Sequence, residues 1–105
     1  MSEKGLHLSA EAYRDLPERV QRLDVREPWE YELARLPGAI LIPLGELADR
    51  VNELDRSRPV VAYCHHGVRS LHALRILSDA GFTELAHLSG GIEAYSSLVP
   101  SIPRY

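Results

Sequence analysis

Apolar residues in this chain fall in short clusters whose spacing switches between strand-like and helix-like. His7-Leu8 reads as a short edge strand. Ser9 reads as the N-cap of a short helix to about Leu16, with Pro17 as its stop. Residues 20–25 read as a strand that alternates near its end, with Leu23 and Val25 inward and Asp24 outward. Glu27-Pro28 opens a helix with proline at its tolerated first position, and that helix carries Trp29, Leu33 and Leu36 at helical spacing. Pro37-Gly38 turns the chain into the short strand Ala39-Ile40-Leu41-Ile42, closed by Pro43. Leu44, Leu47, Val51 and Leu54 then recur at the interval of an amphipathic helix.

The run from Val60 to Tyr63 is almost continuously apolar, the signature of a strand covered on both faces of a parallel sheet. Leu71, Leu74 and Leu77, with Ile76, give the following helix its core stripe. Gly81 suits the position just past that helix, with Phe82 as the hydrophobic contact that accompanies such a cap. Leu85 to Leu88 is a last short strand, Gly90-Gly91 a tight turn, and 92–98 a final helix ended by Pro100. Strands alternating with helices over such short spans predict a mostly parallel α/β sheet with helices on both faces. In such sheets ligands bind beyond the carboxyl ends of the strands, and Cys64 falls on that edge.

Composition narrows the function classes. A chain of 105 residues is sized for one domain with one core, so 1–105 is read as a single unit; no internal repeat or low-complexity segment divides it. The net charge of −3 argues against nucleic-acid binding, which normally shows a basic excess. No apolar stretch reaches membrane-spanning length, and Met1-Ser2-Glu3-Lys4-Gly5 lacks the basic start and apolar run of a secretion signal. One cysteine makes no internal disulfide and suits a reducing compartment. The cytoplasm is the expected address.

That cysteine ends the buried strand and opens the loop Cys64-His65-His66-Gly67-Val68-Arg69-Ser70, where a helical pattern begins. Loop amides and a helix N-terminus supply positive potential at such a place, Arg69 can add a full charge, and a thiolate so held is a usable nucleophile at neutral pH. An inert buried cysteine is the competing reading. Arg69 is read as steering an anionic donor and steadying the loop, because the helix dipole disfavours an idle cation there. Gly67 supplies a torsion or close approach that a side chain would block. Ser70 is placed to cap the helix or to hydrogen-bond the sulfur, with capping favoured. His65 or His66 could point into the pocket and add charge at acid pH. Zinc is disfavoured: adjacent histidines lack ligand spacing, the loop needs a free thiolate, and His72 reads as a surface residue. No metal or cofactor is called for.

Cys64-His65-His66-Gly67-Val68-Arg69 resembles the C-x-x-G-x-R active loop of rhodanese-type sulfurtransferases. Leu23-Asp24-Val25-Arg26-Glu27-Pro28-Trp29-Glu30-Tyr31-Glu32 is similar to that family's D-V-R-E-x-x-E-[YF] segment, Leu36-Pro37-Gly38-Ala39-Ile40 to its I-P-G-A-I turn, and Leu88-Ser89-Gly90-Gly91-Ile92-Glu93-Ala94-Tyr95 to its L-x-G-G-[IM]-x-A-W. The four segments keep the family's order and spacing. The resemblance implies a rhodanese-like fold, a five-stranded mostly parallel sheet flanked by helices. It implies that Cys64 takes a sulfane sulfur from a donor such as thiosulfate, carries it as a persulfide, and yields it to cyanide, a small thiol or a sulfur-acceptor protein. His65, His66, Gly67, Val68, Arg69 and Ser70 would surround the substrate, and Asp24 and Arg26 would support the loop from behind, Asp24 pairing with Arg26 or Arg69. Two positions depart from the pattern: Arg35 stands where the family usually has His, and Tyr95 where it often has Trp. Both read as tuning of packing or partner contacts.

Two other classes remain open. Rhodanese-like domains that have lost the cysteine act as interaction modules, and Cys64 argues against that here. Cysteine-dependent phosphatases and arsenate reductases use C-x5-R loops, whereas only four residues separate Cys64 from Arg69. The shorter loop suits a sulfur atom and crowds a phosphoryl group.

Overall fold

A computed structural model of the chain describes residues 6–105; Met1–Gly5, the segment read above for a secretion signal, lie outside the described residues. Five strands, β1 (His7–Leu8), β2 (Gln21–Asp24), β3 (Ala39–Leu41), β4 (Val60–Tyr63) and β5 (Leu85–Leu88), form one sheet in the order β1-β5-β4-β2-β3. Every pairing is parallel, with Leu23 opposite Ala62 and Ala62 opposite His87 across the centre. The helices are α1 (Ala10–Arg14), α2 (Pro28–Leu33), α3 (Leu44–Arg50, continued by a 3-10 turn at Val51–Glu53), α4 (Val68–Asp79) and α5 (Gly91–Leu98). This is the α/β architecture expected from the sequence, strand for strand.

Alternation along β4 shows why its sequence is apolar throughout. Val60, Ala62 and Cys64 enter one core with Leu47, Val51, Leu74 and Leu77, beneath α3 and α4. Val61 and Tyr63 enter the opposite core with Tyr13, Leu88, Ile92 and Tyr95, beneath α1 and α5. Successive side chains on a strand point to opposite faces, so a strand covered twice has no polar register to spare. Ser9 caps α1 by accepting from the Ala12 amide at 3.1 Å. Gly81, at φ +95°, closes α4 in a Schellman turn, its amide bonding Ser78 and that of Phe82 bonding Leu77.

Three expectations are corrected. Asp24 does not face outward to solvent: it is fully buried, because the face opposite Leu23 is itself covered. The helix after Pro28 stops at Leu33, leaving Trp29 at 62 % and Leu33 at 53 % exposure, while Leu36 lies beyond the helix and is buried. Six residues are too few for the stripe that their spacing suggested. In α4 the inward stripe is Ser70, Ala73, Leu74 and Leu77, and Leu71 is exposed. A serine at the head of an i, i+3, i+4, i+7 row hides the row from a reading based on hydrophobicity.

Candidate active site

The chain leaves β4 at Tyr63, and Cys64 is the next residue, 1 % exposed. Gly67 then takes φ +108° and opens α4 immediately behind the sulfur. A left-handed torsion there is natural only for glycine. The result is that Cys64 Sγ accepts from two backbone N–H groups, Gly67 at 3.1 Å and Ser70 at 3.3 Å, both belonging to the start of a twelve-residue helix. The sequence-based account of the sulfur, main-chain amides plus a helix N-terminus, is the geometry found. Ser70 does not cap that helix, since the cap position is Gly67; its fully buried Oγ lies 3.5 Å from Sγ and 2.9 Å from His87 Nδ1.

The loop is held in this shape from the next turn. Ile92 N–H donates to Cys64 O at 2.9 Å and Glu93 N–H to His65 O at 3.1 Å, so the first turn of α5 engages the loop's outward carbonyls. Gly91 makes that approach possible: a Cβ on it would sit 2.2 Å from His65 O and 2.6 Å from Cys64 O. Gly91, the first residue of α5, thus serves the sulfur loop, while Gly90 serves its own helix start, where a Cβ would meet Ala94.

Arg69 forms a bidentate pair with Glu30 at 2.6 and 2.8 Å, tying the loop to α2. Burial disfavours charge on Glu30, but hydrogen bonds from Arg69, the Glu27 amide and the Tyr105 hydroxyl outweigh it and draw the carboxyl down to about 2. Beneath this pair, Arg26 is fully buried and its guanidinium gives Asp24 two hydrogen bonds, Nε to Oδ1 at 2.9 Å and Nη2 to Oδ2 at 2.7 Å. It also donates to Ala34 O and to the Tyr105 hydroxyl. Tyr63 completes the site by donating to Asp24 Oδ2 at 2.9 Å while accepting from the Leu36 amide. Of the two partners open to Asp24, the structure selects Arg26.

His65 is sandwiched between the rings of Tyr105 (4.1 Å) and His66 (4.0 Å), with Nε2 3.7 Å from Glu93. Burial, and next the neighbouring His66, push its imidazole below the usual value, so it adds little positive charge at neutral pH. His66 and Val68 are exposed on the rim, Val68 at 70 %. Of the two departures, Arg35 lies over the Tyr31 ring at 4.4 Å, and Tyr95 packs edge-on against Tyr13 in the core. Four contributors escaped the sequence reading: Glu30, His87, His7 and Tyr105. Glu30 stood inside a recognised segment without a role; the others become neighbours of the loop only through parallel pairing and the returning tail.

A family model for the rhodanese-like domain matches residues 9–98. Among curated proteins the chain is 38% identical over 92 residues to YqhL of Bacillus subtilis, covering 88% of this chain and 73% of that protein. It is 30% identical over 102 residues to the thiosulfate sulfurtransferase GlpE of Pseudomonas paraeruginosa, covering 96% and 93%. Several further relatives are much longer, and the chain spans half or less of each. Among solved structures, a rhodanese-related protein from Thermoplasma volcanium matches with TM-score 0.83 at 29% identity, covering 90% of this chain and 93% of that one. Sulfurtransferases stand among these relatives, so sulfur transfer is the chemistry of the group at family level. The matched span takes in β2 to β5, the Cys64 loop and α5 together, and this chain belongs to the rhodanese-like domain family.

Proposed function

We propose that this protein is a sulfurtransferase that carries sulfane sulfur as a persulfide on Cys64. The observation that carries the reading is the convergence of the Gly67 and Ser70 amides on Sγ. A thiolate, not a thiol, attacks the outer sulfur of a donor such as thiosulfate. A new S–S bond forms to Cys64, the donor's own S–S bond breaks, and sulfite leaves with the electron pair. The outer sulfur is then an anion inside a loop of oriented amides, an arrangement that stabilises charge without reorganisation. An acceptor thiolate or cyanide attacks that sulfur, the Cys64–S bond breaks, and the Cys64 thiolate is regenerated. No metal or cofactor enters any step.

His65, His66, Gly67, Val68, Arg69 and Ser70 line the path of donor and acceptor in this reading. With its charge matched by Glu30, Arg69 acts mainly by fixing the loop, and the Asp24–Arg26 pair supports that anchor from below. The acceptor is a small thiol or a sulfur-accepting protein, in a reducing compartment such as the cytoplasm.

Incubation with thiosulfate followed by intact mass measurement tests the proposal. Cys64 should gain the mass of one sulfur atom and lose it to cyanide or dithiothreitol, with thiosulfate:cyanide turnover far above p-nitrophenyl phosphate hydrolysis. An unmodified Cys64 would support an interaction module instead, and dominant phosphatase turnover a phosphoryl-transfer enzyme.

A further inference from the structure

The loop amides account for how a Cys64 anion is held, but not for where its proton goes. Cys64 is 1 % exposed, Ser70 is fully buried and His87 is 3 % exposed. From Sγ, however, a continuous hydrogen-bonded path leads outward: Ser70 Oγ at 3.5 Å, then His87 Nδ1 at 2.9 Å from that hydroxyl, then His7 Nδ1 at 2.8 Å from His87 Nε2. His7, on the edge strand β1, is exposed. The path crosses α4, β5 and β1, which parallel pairing of His7 with His87 brings into register.

We propose that Ser70, His87 and His7 form a proton relay that couples ionisation of Cys64 to the solvent-facing edge of the sheet. The inference rests on Cys64 being the reactive nucleophile. Each proton moves by one link: Sγ–H to Ser70 Oγ, Oγ–H to His87 Nδ1, and Nε2–H of His87 to His7 Nδ1. The end state is a Cys64 thiolate accepting from the Ser70 hydroxyl, a neutral His87 in its other tautomer, and a His7 imidazolium that exchanges with water. Return of a proton along the same path resets the thiol, and no oxidant or co-reactant is consumed.

The surroundings favour this use. Burial, and secondarily His7, hold the His87 imidazole below its usual value, so it stands neutral with one nitrogen free to accept. Among the described residues, the titratable groups facing His87 are His7 from β1 and, through Ser70, Cys64 from the end of β4. The charged side chains of α4 are engaged elsewhere or exposed: Arg69 on Glu30, Arg75 beside Asp79, His72 on the surface. Ser70 and His87 are therefore positioning residues that act through the thiol, and a hydroxyl at the head of an otherwise apolar stripe gains a reason.

Alkylation of Cys64 by iodoacetamide, followed by intact mass from about pH 5 to about pH 9, tests the relay across the range in which imidazoles titrate and needs no sulfur transfer. His87→Asn keeps an acceptor for the Ser70 hydroxyl but no titrating ring. It should erase the pH dependence that the wild type draws through His87 and slow alkylation near neutrality about tenfold, the fold-change that one pK unit of lost coupling produces. The alkaline-limit rate, measured on the folded variant, should stay at the wild-type value. His7→Gln, at an exposed position, should move the profile the same way by less. A His87→Asn profile that superimposes on wild type, or that is scaled equally at every pH, overturns the relay. If His87→Asn does not fold, an unchanged His7→Gln profile overturns it equally. Thiosulfate labelling of the wild-type chain is scored separately: no persulfide with the pH coupling intact rejects the sulfur-carrier reading and leaves the relay of the thiol standing.

Discussion

At the scale of single residues, the proposed chemistry rests on Cys64, with Ser70 in hydrogen-bond contact beside it. Cys64→Ser preserves the hydrogen bonds from Gly67 and Ser70 in kind and nearly preserves volume, so stability should change by no more than about 2 kcal/mol. Sulfur transfer should fall to background, because an alkoxide is not available at neutral pH and no persulfide can form on oxygen. Turnover near wild type would remove Cys64 from the mechanism. Cys64, Gly67 and the amide cradle were readable in advance because strand, glycine and helix start are adjacent in sequence. Glu30 and His87 were not, because each meets the loop across a long separation, 39 residues to Arg69 and 17 to Ser70. Ser70 was visible but assigned to capping: local propensity favours that role for serine, and only the positive φ of Gly67, which takes the cap position, excludes it.

Among the elements, the contact between the Cys64 loop and α5 is the one on which the site's shape depends. Gly91→Ala places a methyl carbon 2.2 Å from a carbonyl oxygen that belongs to the backbone and cannot swing aside. It also forces a side chain onto φ +65°, a torsion that costs on the order of 1 kcal/mol for a non-glycine residue. The expected result is a protein destabilised by about 3 kcal/mol or more, with α5 pushed off the loop and transfer activity reduced beyond what the unfolded fraction explains. Chemical denaturation beside single-turnover persulfide formation would show it; wild-type values in both would mean that α5 does not shape the loop. Periodicity located β4 and β5 to the residue because both are covered on two faces. It misjudged α2, where Trp29 and Leu33 obey helical spacing yet face solvent. Spacing reports which residues share a side of a helix; only packing decides whether that side is covered.

For the molecule as a whole, the charged groups beneath the loop set the response to acid. Glu30 is nearly inaccessible and its folded value of about 2 lies below the ordinary 4.5 of an unfolded chain. A depressed carboxyl stabilises the fold fully above the unfolded value, and that contribution is lost as pH falls from about 4.5 towards about 2. The loss amounts to on the order of 3 kcal/mol. Glu30→Gln should therefore be less stable at neutral pH and show a shallower decline below about pH 4.5, measured by denaturant titration at each pH. An acid limb as steep as wild type would assign the effect to other carboxylates. The parallel sheet with helices on both faces was legible from the alternation of strand and helix patterns, whereas the order of its strands was not. The burial of the Arg26–Asp24 pair and the part of Tyr63 in it were not legible either, because a strand residue that looks polar and outward is silent about a second layer waiting on that side.

Because the amides of Ile92 and Glu93 are spent on the carbonyls of Cys64 and His65, the integrity of the sulfur cradle can be read from two positions outside it. Deuterium uptake at those two sites should slow when a ligand seats in the loop and quicken when the loop springs open. They offer a gauge of the resting protein that needs no modification of the thiol.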